Sequence, residues 1–190
     1  FMYSYTFALT APLSRQLNFS KTWTQVFSSF GPISGGVIQP LIGILSDKTN
    51  TRIGKRRPFI IAGQVGTALA LIIQILIFNF IAVEHVALRR GLFVLSMILC
   101  NIFVQAIQGP GRTLIADLLP RSQQVLGNAI ATGMLAFGAI TCNLIGFFLS
   151  LHERKGFLQL EVFVPFISLA FAVLGTVSTC LSAHETQSQN

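Results

Sequence analysis

Residues 58–83 read PFIIAGQVGTALALIIQILIFNFIAV, a run that contains no charged side chain. About 20 consecutive apolar residues form a helix long enough to cross the hydrocarbon core of a bilayer. The proline at the start of the run suits the first turn of a helix, where its missing N–H is not needed. Because similar apolar runs lie on both sides of it, the stretch predicts one transmembrane helix among several.

The other apolar runs predict an all-α membrane protein with six helices separated by polar segments. We expect helices at about residues 1–13, 23–45, 58–83, 91–118, 123–151 and 160–183. The chain begins at Phe1 in apolar sequence, without the basic segment of a signal peptide, so we interpret the first run as the second half of an interrupted helix. Residues 1–190 are therefore expected to form one transmembrane bundle.

The composition argues against a soluble or nucleic-acid-binding domain. Hydrophobic residues make up 52% of the chain and charged residues only 10%, whereas soluble domains carry about 25% charged residues. The net charge is +7, but the basic residues are not spread over a folded surface as nucleic-acid binding requires. Five of them lie in one short loop between apolar runs: Lys48, Arg52, Lys55, Arg56 and Arg57. The expected partner is a lipid bilayer, and no nucleic acid is expected.

The same loop predicts the orientation of the chain, because positive charge beside helix ends favours the cytoplasmic side. A simple count does not decide the matter, since each side would carry six basic residues. We place the dense cluster inside because charge packed close to helix ends has the strongest effect on insertion.

No pattern in the sequence predicts an enzyme, a cofactor or a metal site. The cysteines lie inside apolar runs, at spacings typical of neither a metal site nor a disulfide framework, and the histidines lie in predicted loops or the tail. These residues are Cys100, Cys142, Cys180, His85, His152 and His184. No nucleophile–base, paired-carboxylate or phosphate-loop pattern is present.

The basic loop and the helix end before it form the first candidate functional motif. An acid at the end of a helix can pair with arginines of the next loop, and such a cluster can hold one conformation and release in another. The motif residues are Gly43, Asp47, Lys48, Gly54, Lys55, Arg56 and Arg57. The alternative is that these charges only determine membrane topology.

Arg112 is the second candidate, since it stands in or near the fourth predicted helix with apolar sequence around it. A guanidinium at membrane depth is costly, so it should face a water-filled cavity or an acid. Gly109 and Pro110 loosen the helix there, as at the sites of many transporters, and the donors of arginine suit sugar hydroxyls or a carboxylate. The alternative is that Arg112 lies near the cytoplasmic end and pairs with Asp117.

Polar side chains form a stripe on the same predicted helix. Asn101, Gln105 and Gln108 are spaced four and seven residues apart, so they share a face. Such a stripe in a membrane helix either joins neighbouring helices by hydrogen bonds or lines a cavity. In the second predicted helix, Gly31 and Gly35 form a GxxxG pair, which allows a neighbouring backbone to approach closely.

These stretches resemble the sucrose transporters of the major facilitator superfamily, in the branch close to the glycoside–pentoside–hexuronide cation symporters. The strongest similarity runs from Gly31-Pro32-Ile33-Ser34-Gly35 through Ser46-Asp47-Lys48 to Arg56-Arg57-Pro58, and includes the longer spacing between the acid and the basic triplet found in plant sucrose carriers. A second match is Gln108-Gly109-Pro110 with Arg112 and Ala116-Asp117-Leu118.

The resemblance implies twelve helices in two halves around a central sugar cavity, with this chain as the N-terminal half and a missing C-terminal half as its partner. It implies proton-driven uptake of sucrose or a related glycoside at the plasma or vacuolar membrane. Arg112 falls on the membrane arginine that the family uses in substrate binding and coupling. The candidate binding or coupling residues are thus Arg112, Asn101 and Gln108.

Two positions depart from the plant pattern. Asn101 stands where the plant carriers have an aspartate, and Lys21 stands where they commonly have a histidine. Asparagine cannot take up and release a proton, so a coupling role cannot pass to Asn101. Three interpretations remain open: a proton symporter coupled elsewhere, a sugar facilitator without ion coupling, and a membrane partner protein that does not transport. A channel is disfavoured, since no filter-like motif is visible.

Overall fold

The computed structural model describes residues 10–49, 51, 54–82, 84–151 and 160–182. This part of the chain is all-helical and contains no strand. Its helices are α1 (Thr10–Gln16), α2 (Lys21–Lys48), α3 (Arg57–Phe80), α4 (Val86–Leu118), α5 (Gln124–Leu151) and α6 (Leu160–Ser182). We call the end of the bundle that carries the basic loop between α2 and α3 the inner end, and the opposite end the outer end.

Four of these helices are long and apolar enough to cross a bilayer: Lys21–Lys48, Arg57–Phe80, Val86–Leu118 and the Gln124–Phe148 part of α5. A shorter apolar segment, Phe163–Gly175, lies within α6. These lengths match the requirement of about 20 residues for a spanning helix. The chain is that of a multi-pass integral membrane protein.

Local sequence explains where several helices begin and end. Ser20 caps α2 by accepting a hydrogen bond from the backbone N–H of Trp23 (3.5 Å), and proline stands in the first turn of α3. At the end of α4, the side chain of Gln124 donates from Nε2 to the carbonyls of Ala116 (3.1 Å) and Leu119 (3.4 Å). Gln124 thereby satisfies carbonyls that the helix end leaves without donors.

Some helix bounds differ from those expected from the sequence. The fourth helix begins at Val86 and not near Gly91, so most of the segment expected to be a loop is helical. Charged residues suggested a loop there, but Arg89 and Arg90 bind neighbouring rings and carbonyls at the outer end. The helix that was expected to end near Pro12 continues to Gln16; of that first run, residues 1–9 lie outside the described residues.

The core lies where α3 and α4 pack together. Glycines make this contact close: a methyl group at Gly66 would overlap the ring of Phe103, and one at Gly63 would come within 2.7 Å of Ile107. Around this contact, large apolar side chains are fully buried. They include Leu71, Ile77, Phe93 and Met97, with the thiol of Cys100 among them. Close packing of small residues takes the place of a hydrophobic driving force between membrane helices.

The outward surface of α5 is apolar and exposed along its length. Val125, Met134, Phe137 and Phe148 are each more than half exposed. Exposed aromatic and aliphatic side chains on a spanning helix are suited to contact with lipid or with further helices.

Candidate transport site and inner charge cluster

The guanidinium of Arg56 lies at the centre of the inner end and bridges three helix termini. Its Nη2 is 2.8 Å from Oδ1 of Asp47, and its Nε donates to Oδ2 of Asp117 at 3.1 Å. Its Nη1 donates to the hydroxyl of Ser46 at 2.7 Å. Arg56 directly precedes α3, Ser46 and Asp47 lie in the last turn of α2, and Asp117 lies in the last turn of α4. We call these four residues the inner charge cluster.

The electrostatics of this cluster are uneven. The side chain of Arg56 is 11% exposed, whereas those of Asp47 and Asp117 are 64% and 54% exposed. A buried guanidinium is stabilised only when its donors are satisfied, and its planar fork presents them in fixed directions. Here one arginine uses its donors on three separate partners. A motion that separates α2 from α4 at this end must therefore break at least one of these contacts.

Only part of the sequence motif lies in this cluster. Asp47 and Arg56 meet in it, while Lys48 and Lys55 are exposed and Arg57 is half-buried beside it in sequence. Gly54 adopts φ of 114°, which a residue with a side chain rarely does, so this glycine is required by the turn before α3. Open space surrounds the position that a side chain at Gly43 would occupy.

Two members of the cluster were not assigned to it from the sequence. Ser46 directly precedes the acid, and Asp117 was considered as a partner of Arg112. That pairing was only the alternative to a functional role for Arg112, and in the structure the carboxylate of Asp117 binds Arg56. The position of Asp117, in the last turn of a predicted helix that reaches the inner side, was a usable signal for the observed pairing.

A network of side-chain amides joins α2 and α4 nearer the middle of the bundle. Nε2 of Gln39 donates to Oε1 of Gln105 at 2.6 Å and to Oε1 of Gln108 at 2.9 Å. Nε2 of Gln105 donates in turn to the backbone carbonyl of Gly31 at 3.0 Å. We call Gln39, Gln105 and Gln108 the amide network.

Glycines allow the two helices to approach at this network. A methyl group at Gly35 would lie 3.3 Å from Nε2 of Gln105, and one at Gly109 would lie 3.4 Å from the backbone carbonyl of Gln39. The paired positions rise together in number along both helices, so α2 and α4 run parallel. The GxxxG pair of α2 thus provides room for an amide side chain.

The polar stripe of α4 therefore divides into two parts. Gln105 is 2% exposed and Gln108 is half-buried, and both bind α2. Asn101 is 4% exposed and donates from Nδ2 to the carbonyl of Met97 on its own helix at 2.8 Å. Within the described residues, both glutamines form hydrogen bonds between helices. Asn101 is buried and binds its own helix, so it neither joins two helices nor lines an open cavity.

Arg112 occupies the level of α4 between the amide network and the inner charge cluster. It lies one turn after Gln108 and five residues before Asp117. Its side chain is exposed and forms no hydrogen bond or ion pair with the described residues. The adjacent Gly111 also borders open space. Among the described residues, Arg112 is thus a free cation. The helix that carries it is joined to α2 through the amide network on the outer side of Arg112 and through the inner charge cluster on its inner side.

Arg89 and Arg90 lie at the outer end, and neither forms an ion pair with an acid among the described residues. Nε of Arg90 donates to the carbonyl of Leu17 at 2.9 Å, and its Nη2 donates to that of Asn18 at 3.1 Å. The guanidinium also lies 5.6 Å from the centre of the Phe19 ring, and that of Arg89 lies 5.7 Å from the Phe78 ring. We call Arg89, Arg90 and these rings the outer arginine–aromatic cluster.

The chain is similar in sequence to several curated proteins. A general alpha-glucoside permease of Schizosaccharomyces pombe is 33% identical over 177 residues, which cover 88% of this chain and 32% of that protein. Sucrose transport protein SUC3 of Arabidopsis thaliana is 31% identical over 156 residues, or 74% of this chain and 25% of that protein. Sucrose transport protein SUC4 of the same plant is 26% identical over 203 residues, or 94% of this chain and 38% of that protein.

The chain therefore spans between about a quarter and two fifths of the length of these curated relatives. The profile of the Major Facilitator Superfamily matches residues 1–184, which is nearly the whole chain. The described residues form a helical bundle with four helices long enough to span a membrane, which is consistent with that match. The chain belongs to the Major Facilitator Superfamily.

Proposed function

We propose that this chain is the N-terminal half of a secondary transporter for sucrose or a related α-glucoside, and that Arg112 binds the sugar. The observation that carries the proposal is the exposed guanidinium of Arg112 on a spanning helix, without a partner among the described residues. A permanent charge at that depth is tolerated where it faces water or a ligand. Its several donors in a fixed fork match the adjacent hydroxyls of a sugar ring.

The inner charge cluster fits the second requirement of a transporter, which is a contact that closes one end and can open. Arg56 holds the ends of α2 and α4 together through Asp47 and Asp117. Both carboxylates are more than half exposed, so water can replace either contact at modest cost. We propose that the cluster stabilises the state closed at the inner end and breaks when that end opens.

Ion coupling is the finer part of the proposal, and we propose proton symport. Asn101 cannot carry the proton, and its amide is bound to Met97. Asp47 and Asp117, the acids in the last turns of α2 and α4, both bind Arg56. We propose that the coupling group of a symporter lies in the inner charge cluster or in the C-terminal half. A facilitator without ion coupling is the alternative that Asn101 favours.

The half that the chain does not contain would supply the opposite wall of the sugar cavity. The exposed apolar surface of α5 and the exposed side of Arg112 fit a cavity that is completed by further helices. The relatives named as sucrose transport proteins and as an alpha-glucoside permease support this class of substrate. We propose the plasma membrane or the vacuolar membrane as the site of transport.

Uptake into vesicles that contain the full-length protein tests the proposal. Labelled sucrose and labelled maltose are supplied with and without an inward proton gradient, and an Asn101→Asp variant is measured in parallel. Uptake that rises with the gradient supports a symporter with coupling outside position 101. Uptake that ignores the gradient indicates a facilitator, more so if Asn101→Asp restores coupling. Absence of uptake of either sugar contradicts the proposal and favours another solute or a partner protein that does not transport.

A further inference from the structure

We infer that Gln39 is a positioning residue that fixes the rotation of α4 and thereby presents Arg112 to the sugar. The inference rests on the proposed function, because it takes Arg112 as the sugar-binding group. Gln39 lies on α2 and binds two positions of α4 at once, Gln105 and Gln108.

The direction of each amide in the network follows from its surroundings. The carbonyl of Gly31 accepts a hydrogen bond and cannot donate, so the NH₂ group of Gln105 must face it. Oε1 of Gln105 then faces Gln39. Since this oxygen can only accept, Gln39 must donate to it from its own NH₂ group. One backbone carbonyl thus determines the orientation of both glutamines, and the network has a single arrangement.

The geometry of a helix connects this network to Arg112. Gln105, Gln108 and Arg112 are separated by three and four residues, so their side chains share one face of α4. Gln105 is buried against α2, whereas Arg112, one turn beyond Gln108, is exposed. A rotation of α4 that moved Gln105 away from α2 would move Arg112 by the same angle. Holding the two glutamines therefore holds the direction of the arginine.

Pro110 makes such a hold necessary. It lies between Gln108 and Arg112, and it removes one backbone hydrogen bond from the middle of α4. A helix weakened at that point bends more easily, although α4 continues unbroken through Pro110 to Leu118 and its two sides still rotate together. The amide network lies directly on the outer side of Pro110, and the contact of Asp117 with Arg56 lies on its inner side. The two contacts restrain both halves of the helix.

The test uses the full-length protein with Arg112→Cys, and measures how fast a cationic, membrane-impermeant methanethiosulfonate reagent modifies the introduced thiol. The protein without the new cysteine gives the background, which is low for Cys100 and Cys142 because both are fully buried. Gln39→Met keeps the length of the side chain and removes both donors. Gln25→Met is the matched control, since Gln25 is an exposed glutamine of the same helix whose side chain forms no hydrogen bond with the described residues.

We expect Gln39→Met to slow the modification of the introduced thiol roughly threefold to eightfold, which is the scale of one to two interhelical hydrogen bonds in a membrane. Gln25→Met should leave the rate unchanged. With Arg112 intact, Gln39→Met should raise KM for sucrose about fivefold and leave the maximal rate within about twofold, because sugar binding weakens while the conformational change does not. Gln39→Asn, which is one methylene too short for both acceptors, should act in the same direction and serves if the first variant does not fold.

An unchanged modification rate at position 112 in Gln39→Met contradicts the inference. A raised KM with an unchanged modification rate also overturns it, because Gln39 would then act on the sugar without moving Arg112. If the parent protein transports no sugar but the modification rate still falls in Gln39→Met, the positioning role of Gln39 stands and the proposed function fails. The two ideas are thereby tested separately.

Discussion

The two ends of the bundle both hold an arginine, and they hold it in different ways. At the inner end, Arg56 binds two carboxylates and a hydroxyl, each from the last turn of a helix. At the outer end, Arg90 binds two backbone carbonyls and an aromatic ring. Carboxylates that are more than half exposed can exchange an arginine for water, whereas backbone carbonyls at a helix end have no other partner from that helix.

Under the proposed function, the contacts of the inner end are the ones expected to break during transport, and those of the outer end are expected to persist. It also bears on orientation, which counting basic residues left undecided. Arg89 and Arg90 are engaged with rings and carbonyls of the bundle itself. The basic loop at the inner end keeps exposed cations such as Lys48 and Lys55 beside the helix ends. Exposed cations of that kind are the ones that favour the cytoplasmic side.

The largest effect is expected from Arg56→Met. The change removes the cation that bridges Asp47 and Asp117 and leaves two like charges near each other, so the state closed at the inner end is destabilised. The solvent exposure of both acids reduces the cost to about 1–2 kcal/mol, which corresponds to roughly a tenfold loss of uptake. Initial rates of sucrose uptake in vesicles measure it. Arg56→Lys keeps the charge and loses the fork, so it should be intermediate; an uptake rate equal to that of the parent would contradict the account.

A smaller effect is expected from removing one carboxylate at a time. Asp47→Asn and Asp117→Asn should each lower uptake about threefold, because Arg56 keeps one acid in either variant. The double variant should lose more uptake than the product of the single effects, which is about ninefold, because it leaves the buried guanidinium of Arg56 without a carboxylate. Uptake rates of the three variants give the coupling directly. Strict additivity would show that the acids act independently.

At the outer end, Arg90→Met should lower stability without affecting opening of the inner end. The loss of two charged hydrogen bonds and of the contact with Phe19 should cost about 1–2 kcal/mol at this partly exposed site. A lower Tm of the purified full-length protein measures this cost. Raising the salt concentration should leave this loss nearly unchanged, because neither carbonyl that Arg90 binds carries a charge. A strong salt dependence would show that an acid binds Arg90.

The smallest effect is expected from Arg15→Gln, which is the control for the outer end. Arg15 lies in the last turn of α1 and is exposed, and no contact of its side chain with the described residues is observed. Its removal should change the free energy of unfolding by less than about 0.5 kcal/mol, which is the usual range for a surface substitution, and should therefore leave Tm nearly unchanged. A Tm shift as large as that of Arg90→Met would contradict the account, because it would show that the contacts of Arg90 are not the cause of its effect on stability.

The helices could be predicted from the sequence because membrane spans have a simple apolar signal. The run at residues 58–83 corresponds closely to α3, Arg57–Phe80. The start of α4 was predicted five residues too late, because charged residues were interpreted as a loop. That error has a physical reason. The sequence shows that Arg89 and Arg90 are charged, but it does not show the aromatic rings and backbone carbonyls that their guanidinium groups contact in the folded chain.

The candidate site was only partly predictable for a similar reason. Asp47 and Arg56 lie close in sequence, so their pairing could be proposed from spacing alone. Asp117 lies 61 residues from Arg56, and only the packing of α4 beside α3 brings the two together. Gln39 was assigned no role from the sequence, because its partners Gln105 and Gln108 are likewise distant in sequence.

The central claim is that Arg112 binds the sugar, and the most direct test is binding of labelled sucrose to the purified full-length protein in a scintillation proximity assay. Arg112→Met removes the donors and keeps an unbranched side chain, and Arg112→Lys keeps the charge without the fork. We predict that Arg112→Met abolishes measurable binding and that Arg112→Lys weakens it at least about tenfold, since an amine cannot form the paired contacts of a guanidinium. Binding by Arg112→Met equal to that of the parent would contradict the account.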